Sequence, residues 1–385
     1  MQTNIHPDLI GLVKVQEADA ILRKCVHCGF CTATCPTYQI LGDELDSPRG
    51  RIYLIKNLLE ENKISRDSVS HLDRCLTCRS CETTCPSGVE YGRLLDIGRE
   101  FASRYVKPTY KSWALSFMLR LVVPRPVFFK PLLALGQIFK RLLPKSLRIH
   151  IPSKMPALHQ VESIKGAKVV LLSGCVQSVA TPNVVSSLLK VLRHQGTDAE
   201  VFAEGCCGAL DYHLSEHDAG MQKMRKVIDQ LYPRIEQISY IVSSATGCGV
   251  TIKDYPEILK YDVEYQEKAK TLAAKVVDPI EIVNLQRTLV NSKRVAVHTP
   301  CSMQHGLGLN GKIEKLLGEM GVDVIPHSEG HLCCGSAGTY SILQPKLSHQ
   351  LKERKQKALK VNQPDIIVTA NIGCQLQLNE GSTVP

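Results

Sequence analysis

Residues 25–36 read CVHCGFCTATCP, and residues 75–86 repeat the pattern as CLTCRSCETTCP. In each run the cysteines are spaced C-x2-C-x2-C-x3-C, and a proline follows the last one. This spacing is typical of segments that bind two [4Fe–4S] clusters together. Three thiolates in a tight loop can reach three irons of one cubane, whereas the fourth is carried past a turn and reaches the other cluster.

We therefore predict that the two runs exchange their fourth cysteines. The predicted ligands of the first [4Fe–4S] cluster are Cys25, Cys28, Cys31 and Cys85. The predicted ligands of the second are Cys75, Cys78, Cys81 and Cys35. Two four-cysteine zinc sites are the alternative, but zinc modules usually present two C-x2-C knuckles without a trailing Cys-Pro.

The segments around these runs have helical periodicity. Residues 17–24 (EADAILRK), 49–62 (RGRIYLIKNLLEEN) and 93–106 (RLLDIGREFASRYV) flank or connect them. Ser47 and Pro48 provide an N-cap and a first-turn proline for the middle helix. Residues 1–105 are therefore predicted to form an α-helical ferredoxin domain.

A longer internal repeat carries the other eight cysteines. Its two copies contain Cys175, Cys206, Cys207 and Cys248, and then Cys301, Cys333, Cys334 and Cys374. The vicinal pairs are followed by glycine, which gives each copy a Cys-Cys-Gly (CCG) motif, and the intervals between cysteines nearly coincide. We place the first CCG domain at residues 163–290 and the second at residues 291–385.

Short apolar segments lead into the cysteines of this repeat, such as KVVLLSGC at residues 168–175 and VDVIPHSEGHLCC at residues 322–334. Segments with helical periodicity lie between them, and this alternation predicts βαβ units around a parallel sheet. Ligands of such sheets bind beyond the carboxyl ends of the strands, where these cysteines are expected. The predicted fold class is an α-helical ferredoxin domain followed by two tandem α/β CCG repeats.

The gathered thiols of the CCG repeats are candidate ligands of an additional iron–sulfur cluster or of zinc. Adjacent cysteines are poor disulfide partners, and glycines such as Gly205 and Gly373 let the backbone approach a bulky group. A third redox cluster or metal in at least one repeat, a structural zinc site, and no metal at all are the three alternatives.

Four histidines lie near the cysteines: His27, His213, His305 and His331. His213, His305 and His331 could form hydrogen bonds with a cluster or a quinone, but isolated histidines are more often structural residues. His27 lies inside the first cysteine loop, where we expect a hydrogen-bonding neighbour of the cluster rather than a ligand. Residues 306–311 (GLGLNG) match the dinucleotide pattern GxGxxG, yet they lack its strand–turn–helix context. We interpret these glycines as a loop that precedes a helix.

The net charge of +10 is concentrated in one segment. Residues 101–161 contain eleven Lys or Arg and no acidic residue, so the rest of the chain is close to neutral and nucleic-acid binding is not expected. Within residues 106–162 apolar and basic side chains alternate, which predicts an amphipathic linker that lies on an anionic membrane surface. An acidic partner subunit or a solvated linker is the alternative.

Structural disulfides are unlikely in a reducing compartment, so metal or redox chemistry is the better explanation of the sixteen cysteines. The first residues show no secretory signal pattern, and no apolar stretch reaches the roughly 18 residues of a spanning helix. We expect a soluble, cytoplasmic protein that associates peripherally with the cytoplasmic face of the inner membrane.

Together these motifs resemble the iron–sulfur subunits of bacterial glycolate oxidase. The strings GCCGALDYHL, HLCCGSAGTY and TANIGCQ favour this branch over related lactate-utilisation proteins, anaerobic glycerol-3-phosphate dehydrogenase subunits and heterodisulfide reductase subunits. The resemblance implies FAD-containing partner subunits that oxidise glycolate to glyoxylate, while this chain relays electrons toward the quinone pool. A lactate or glycerol-3-phosphate system is the alternative within this class, and a zinc-stabilised docking scaffold is an alternative of another class.

Two features depart from the pattern of the relatives. Heterodisulfide reductase repeats close with C-x2-C, whereas Thr251 and Gln377 stand at the corresponding positions here. The first repeat continues after Cys248 into a closing segment, DPIEIVNLQ, whereas the second stops eleven residues after Cys374. By internal symmetry we expect either a truncated chain or a partner that covers the second sheet.

Overall fold

The computed structural model describes residues 1–142, 151–152, 163–203, 205–285 and 293–385. An N-terminal helical region, a pair of helices and two α/β units with parallel sheets follow one another along the chain. This order confirms the predicted fold class. The predicted boundaries at residues 162 and 290, and most of the basic segment beyond residue 142, lie outside the described residues.

The helical region is built from four longer helices and three short ones. The bounds are Val13–Lys24, Phe30–Ala33, Pro36–Leu41, Pro48–Glu61, Arg66–Asp73, Ser80–Thr84 and Tyr91–Tyr105, with a 3₁₀ turn at Glu44–Asp46. Ser47 caps Pro48–Glu61 by accepting a hydrogen bond from Gly50 N at 2.9 Å, as the sequence predicts. The helices Val13–Lys24 and Pro48–Glu61 both pack against Tyr91–Tyr105 around a core of buried aliphatic side chains.

A buried ion network lies beneath this core. The Arg51 guanidinium is fully buried and contacts a carboxylate oxygen of Asp46 at 3.2 Å. It also donates to the carbonyl oxygen of His71 at 2.7 Å and to Thr37 Oγ1 at 3.0 Å. Arg74 contacts the other carboxylate oxygen of Asp46 at 2.9 Å. Because these buried charges are paired and hydrogen-bonded, the network fixes the helices that carry the cysteine runs.

A pair of helices, Tyr110–Val122 and Pro126–Ile138, follows the helical region. We refer to these two helices as the helical pair. Arg120 attaches the pair to the first α/β unit through Asp211 at 2.9 Å and Glu216 at 2.7 Å. Most of its large apolar side chains remain exposed. No helix among the described residues is long and apolar enough to cross a bilayer.

The first α/β unit contains four parallel strands in the order β2-β1-β3-β4. They are β1 (Val169–Leu172), β2 (Ala199–Phe202), β3 (Tyr240–Ser243) and β4 (Val276–Val277). Val169 is in register with Ala199 on one side and with Tyr240 on the other. The helices of this unit are Gln177–Ala180, Asn183–His194, Ala209–His213, His217–Leu231, Thr246–Lys253, Tyr255–Ile258, Gln266–Ala274 and Pro279–Ile282, and a 3₁₀ segment spans Tyr232–Gln237.

The second α/β unit repeats this plan with three parallel strands in the order β6-β5-β7. They are β5 (Arg294–His298), β6 (Asp323–Val324) and β7 (Ile366–Thr369). The helical segments are Ser302–Gly306 (a π-helix), Lys312–Glu319, Tyr340–Leu343, Pro345–Lys360 and Ile372–Asn379. Strand β6 is shorter than its apolar segment suggests, because Pro326 has no N–H to donate to a strand ladder.

The outer edges of the two sheets are hydrogen-bonded alike. Ile241 N in β3 donates to the carbonyl oxygen of Lys275, the residue before β4, at 2.8 Å. Ile367 N, at the same position of β7, donates to the carbonyl oxygen of Pro385 at 2.8 Å. The last residue of the chain thus pairs with β7 as the segment before β4 pairs with β3.

Gly50 is required by close backbone packing, and Gly50→Ala is expected to destabilise the helical region. A Cβ there would lie 2.0 Å from the carbonyl oxygen of Glu44. Because backbone must move, we expect a loss of about 1–3 kcal/mol in the free energy of unfolding, measured by denaturant titration. The matched control is Gly318→Ala in the exposed helix Lys312–Glu319, where a Cβ meets nothing within 4 Å. Equal destabilisation by both substitutions would contradict this packing argument.

Candidate metal centres

The first cysteine run folds around a small cavity. Its lining includes the thiol-bearing residues Cys25, Cys28, Cys31, Cys81 and Cys85. The structure therefore brings Cys85, the last cysteine of the second run, to the loop formed by the first run. The four cysteines predicted for the first cluster lie around one cavity.

The second cysteine run folds around a neighbouring cavity. Its lining includes Cys35, Cys75, Cys78 and Cys81. Here Cys35 crosses from the first run to the loop of the second. Cys81 lines both cavities, so the two sites share a wall. The first cavity is lined by five cysteines and the second by four, and such a set of soft sulfur donors fits an iron–sulfur cluster.

The two loops have the same backbone geometry. His27 and Thr77 adopt left-handed conformations with φ of 57° and 51°, and Gly29 and Arg79 do so immediately before the short helices. Left-handed residues alternating with right-handed ones turn successive N–H groups toward one concave side, which suits anionic sulfide and thiolate. The threonine side chains of Thr34 and Thr84 join the two loops at 3.2 Å between their hydroxyl oxygens.

Burial makes these thiols reluctant to ionise without a metal. Desolvation, together with the neighbouring Cys25, raises the pKa of Cys31 to about 11. Desolvation, together with Cys78, raises the pKa of the buried Cys81 well above its usual range. Because a metal binds the thiolate, assembly of either site must release protons and is favoured by alkaline conditions.

The second cavity carries more polar contacts to sulfur. Thr37 Oγ1 lies 3.3 Å from Cys35 Sγ, and the Tyr91 hydroxyl donates to Cys75 Sγ at 3.6 Å. The buried Arg51 guanidinium lines the same cavity. Hydrogen bonds and positive charge next to cluster sulfurs stabilise the reduced state and so raise a reduction potential.

In each CCG repeat the four cysteines gather at the carboxyl edge of the sheet. Cys175 and Cys206 lie 3.9 Å apart between their sulfurs, and so do Cys301 and Cys333. In both repeats, side-chain contacts between thiols continue from the first cysteine through the vicinal pair to the last. The repeats therefore present two similar chains of four thiols.

The two CCG sites differ in their access to solvent. In the second repeat Cys333, Cys334 and Cys374 are all at most 3% exposed. In the first repeat Cys175 and Cys206 line a cavity beside the helical pair, together with Pro124, Arg125, Pro126 and Lys223. The second site is thus enclosed by protein, whereas the first opens toward the helical pair.

The enclosed site is covered by the ferredoxin-type region. Leu76 and Cys333 belong to one buried apolar cluster, and Cys78 and Cys301 pack against it. The Tyr340 hydroxyl donates to the carbonyl oxygen of Arg74 at 3.0 Å across the same boundary. No sequence pattern pointed to this contact, because its partners are more than 200 residues apart.

Among the histidines singled out from the sequence, His27 lines the first cavity beside Cys25 and Cys28, whereas the other three make different contacts. His305 Nδ1 lies 2.8 Å from Thr83 Oγ1, so it links the second repeat to the helix Ser80–Thr84. His213 and His331 lie on exposed surface. Gly311, the last glycine of GLGLNG, takes φ of 74° at the start of the helix Lys312–Glu319. The glycine run therefore lies in a loop before a helix.

One histidine that the sequence reasoning missed does lie among the cysteines. His298, the last residue of β5, is buried, and a ring nitrogen lies within 4.8 Å of the sulfurs of Cys334 and Cys374. Leu172 stands at the corresponding position of the first repeat, three residues before its first cysteine. Aligning the two repeats would have revealed this difference.

Comparison with known proteins agrees with these observations. Residues 21–89 match the 4Fe-4S dicluster domain family, and residues 169–253 and 295–379 each match the cysteine-rich domain family. The chain is 44% identical to the glycolate oxidase iron-sulfur subunit of Escherichia coli (strain K12), over 98% of this chain and 95% of that protein. It is 27% identical to the "Probable glycolate oxidase iron-sulfur subunit" of Bacillus subtilis (strain 168), over 94% of this chain and 89% of that protein. Lactate utilization protein A of Bacillus licheniformis (strain ATCC 14580) is 28% identical over 55% of this chain and 90% of that protein.

The fold and the thiol-lined cavities define an iron–sulfur protein in which a dicluster domain precedes two cysteine-rich domains. The similarity to a glycolate oxidase iron-sulfur subunit extends over nearly the whole chain and identifies the family more narrowly than the domains do. The chain belongs to the family of glycolate oxidase iron–sulfur subunits, so its place is in an oxidoreductase complex with a partner catalytic subunit.

Arg79 and Asp254 form an ion pair between the second cysteine loop and the first CCG repeat, with contacts of 3.2 and 2.5 Å. Asp254→Asn leaves the half-buried guanidinium without its carboxylate, so we expect a loss of about 1–3 kcal/mol in the free energy of unfolding. The control Glu267→Gln breaks an exposed pair with Lys270 and should change stability by less than about 0.5 kcal/mol. A double-mutant cycle with Arg79→Met would refute the pairing if the two effects simply added.

Proposed function

We propose that this chain is the electron-transfer subunit of a glycolate oxidase complex. In this proposal an FAD-containing subunit oxidises glycolate to glyoxylate, and this chain passes the electrons to a quinone. The observation that carries the proposal is the pair of thiol-lined cavities that share Cys81. Flavins take two electrons from an alcohol as a hydride, and adjacent one-electron sites suit their stepwise removal.

The ligand assignment follows the two cavities. Cys25, Cys28, Cys31 and Cys85 would hold one [4Fe–4S] cluster, and Cys75, Cys78, Cys81 and Cys35 would hold the other. When bound, each cluster supplies a centre that accepts and donates a single electron. The second site is covered by protein, and Arg51, Thr37 and Tyr91 polarise it.

Exposure around the first cavity supports the approach of the flavin subunit on that side. Cys28 is exposed, and the neighbouring Val26 and Phe30 are 67% and 62% exposed. Large apolar side chains around an exposed cysteine are typical of a surface that a partner covers. The second cavity is instead covered by the second CCG repeat. Electrons would therefore enter at the first loop and leave by way of the second.

We also propose that the helical pair lies on an anionic membrane surface. Its exposed large apolar side chains are Tyr110, Trp113, Leu115, Phe117, Met118, Leu121, Val127, Phe128, Leu132, Leu135 and Ile138. Trp113 and Phe117 stack with ring centroids 5.6 Å apart. Lysine and arginine accompany them, and residues 101–161 contain no acidic side chain. An interfacial segment combines these properties, with aromatic side chains at headgroup depth and basic ones against anionic lipid.

Replacement of Cys28 tests the relay. Cys28→Ser removes one sulfur donor of the first cavity, so we expect substrate to reduce the flavin while electron transfer to quinone is lost. Iron per chain should fall from about eight toward about four, measured together with acid-labile sulfide in anaerobically purified complex. Ala33→Ser, which adds a hydroxyl to an exposed position of the same loop, is the matched control and should keep full activity.

Normal quinone reduction by Cys28→Ser would refute the relay. A wild-type chain that contained zinc and no iron would instead support the docking scaffold. Assays of the native complex with glycolate, D-lactate and glycerol-3-phosphate decide the substrate, and the similarity to lactate utilization proteins makes lactate an informative comparison.

Vesicle binding tests the membrane proposal. Wild-type protein should co-sediment with vesicles that contain anionic lipid, and the binding should weaken as salt is raised. Trp113→Glu with Phe128→Glu should weaken it by at least about tenfold, because each apolar side chain contributes on the order of 1.5–3 kcal/mol when buried. Val263→Glu, at a 90% exposed position of the first CCG repeat, is the control. The proposal would be overturned if the double variant bound vesicles as well as the wild type. It would also be overturned if the double variant lost binding to the partner subunit but still bound vesicles.

A further inference from the structure

The four thiols of the second CCG repeat face two different surroundings. Cys301 and Cys333 pack with Leu76 and Cys78 at the boundary with the ferredoxin-type region. Cys334 and Cys374 instead belong to the interior of the second α/β unit, in a cluster with Ala296 and Leu359. The repeat therefore offers one pair of thiols to the neighbouring cavity and a second pair to its own core.

His298 joins the interior pair. The side chain is 0% exposed, and neither ring nitrogen has a hydrogen-bond partner among the described residues. Leaving a buried polar atom without a partner costs on the order of 1–3 kcal/mol, so such a side chain calls for a reason. The thiols of Cys334 and Cys374 lie next to it, and the three donor atoms are all within 4.8 Å of one another.

From these contacts we infer that His298, Cys334 and Cys374 bind one zinc ion in the core of the second CCG repeat. Imidazole nitrogen and thiolate sulfur are the ligands zinc prefers. In a tetrahedral zinc site the donor atoms lie roughly 3.3–3.8 Å apart, so the three side chains need only a small contraction. Two thiolates and a neutral imidazole leave the ion without net charge, which suits a site closed to solvent. The Cys333 thiolate, which contacts Cys334, would complete the coordination, and the nearby buried Lys355 ammonium would offset its additional negative charge.

The first CCG repeat lacks the histidine and can be compared with the second. The thiols of Cys207 and Cys248 correspond to those of Cys334 and Cys374, but Leu172 replaces the histidine. Cys207 and Cys248 are half-buried, and the Tyr255 hydroxyl donates to the carbonyl oxygen of Cys207 at 2.9 Å. The zinc site is therefore specific to the second repeat.

Around the proposed ligands, polar groups favour the metal-bound forms. Asn371 Nδ2 donates toward Cys374 Sγ at 3.7 Å. The Lys355 ammonium is buried in the same unit, held by the carbonyl oxygens of Glu329 and Gly330 at 2.7 and 3.2 Å. A fixed positive charge near thiolates stabilises them, and hydrogen bonds to sulfur orient them.

The test is metal content of the full chain, purified without oxygen and incubated with zinc alone. We expect one zinc per chain in the wild type and in His349→Leu, an exposed histidine of the same repeat. His298→Leu, which copies the first repeat, should weaken zinc binding by more than about 100-fold in a chelator competition while the iron content stays unchanged. His298→Cys should retain zinc because it restores a donor atom. Retention of zinc by His298→Leu, or a wild type that takes up none, would overturn the inference.

Cobalt substitution provides a second readout that does not need the leucine variant to fold. Co²⁺ in the wild-type site should show thiolate charge-transfer absorption that increases in His298→Cys, because one nitrogen ligand becomes sulfur. Identical spectra for the two proteins would exclude His298 as a ligand. Loss of iron and sulfide together with the histidine would show an iron–sulfur cluster in place of zinc. Neither readout involves substrate turnover, so a failure here is distinct from a failure of the electron relay.

Discussion

The exchange of Cys35 and Cys85 between the two cysteine runs is the constraint on which the N-terminal region depends. Each run supplies three thiols to its own cavity and its last cysteine to the other, and Cys81 lines both, so neither cavity is complete without both loops. The helices between and after the runs must then hold the loops at a fixed separation. The buried contact of Arg51 with Asp46 and the packing of Gly50 against Glu44 meet this requirement.

The same constraint explains how the rest of the chain is arranged. In the second loop, Leu76 and Cys78 pack against the second CCG repeat. Arg79 of the same loop forms an ion pair with Asp254 of the first CCG repeat. One loop of about ten residues thus contacts both α/β units. The parallel sheets turn their carboxyl edges, and with them the thiols, toward the region where these contacts are made.

Much of this architecture can be predicted from the sequence. The spacing of the first eight cysteines predicts which of them share a cavity, because the short loops allow few alternatives. The long repeat predicts the two α/β units, since strand and helix periodicities alternate locally. The contact of Cys78 with the second repeat and the placement of His298 beside Cys334 could not be predicted in this way. Both depend on how β5 and the cysteine loops pack in three dimensions, and no local pattern encodes such long-range proximity.

The unequal enclosure of the two CCG sites has a consequence for damage. Oxidants attack thiols that they can reach, and their rate follows accessibility as well as ionisation. Cys175 and Cys206 line an open cavity, whereas Cys333, Cys334 and Cys374 are screened by neighbouring helices and by the cysteine loop. Of the two CCG repeats, the first would therefore be oxidised first under peroxide, and its thiols would become sulfenic acids while the enclosed thiols of the second repeat stay intact.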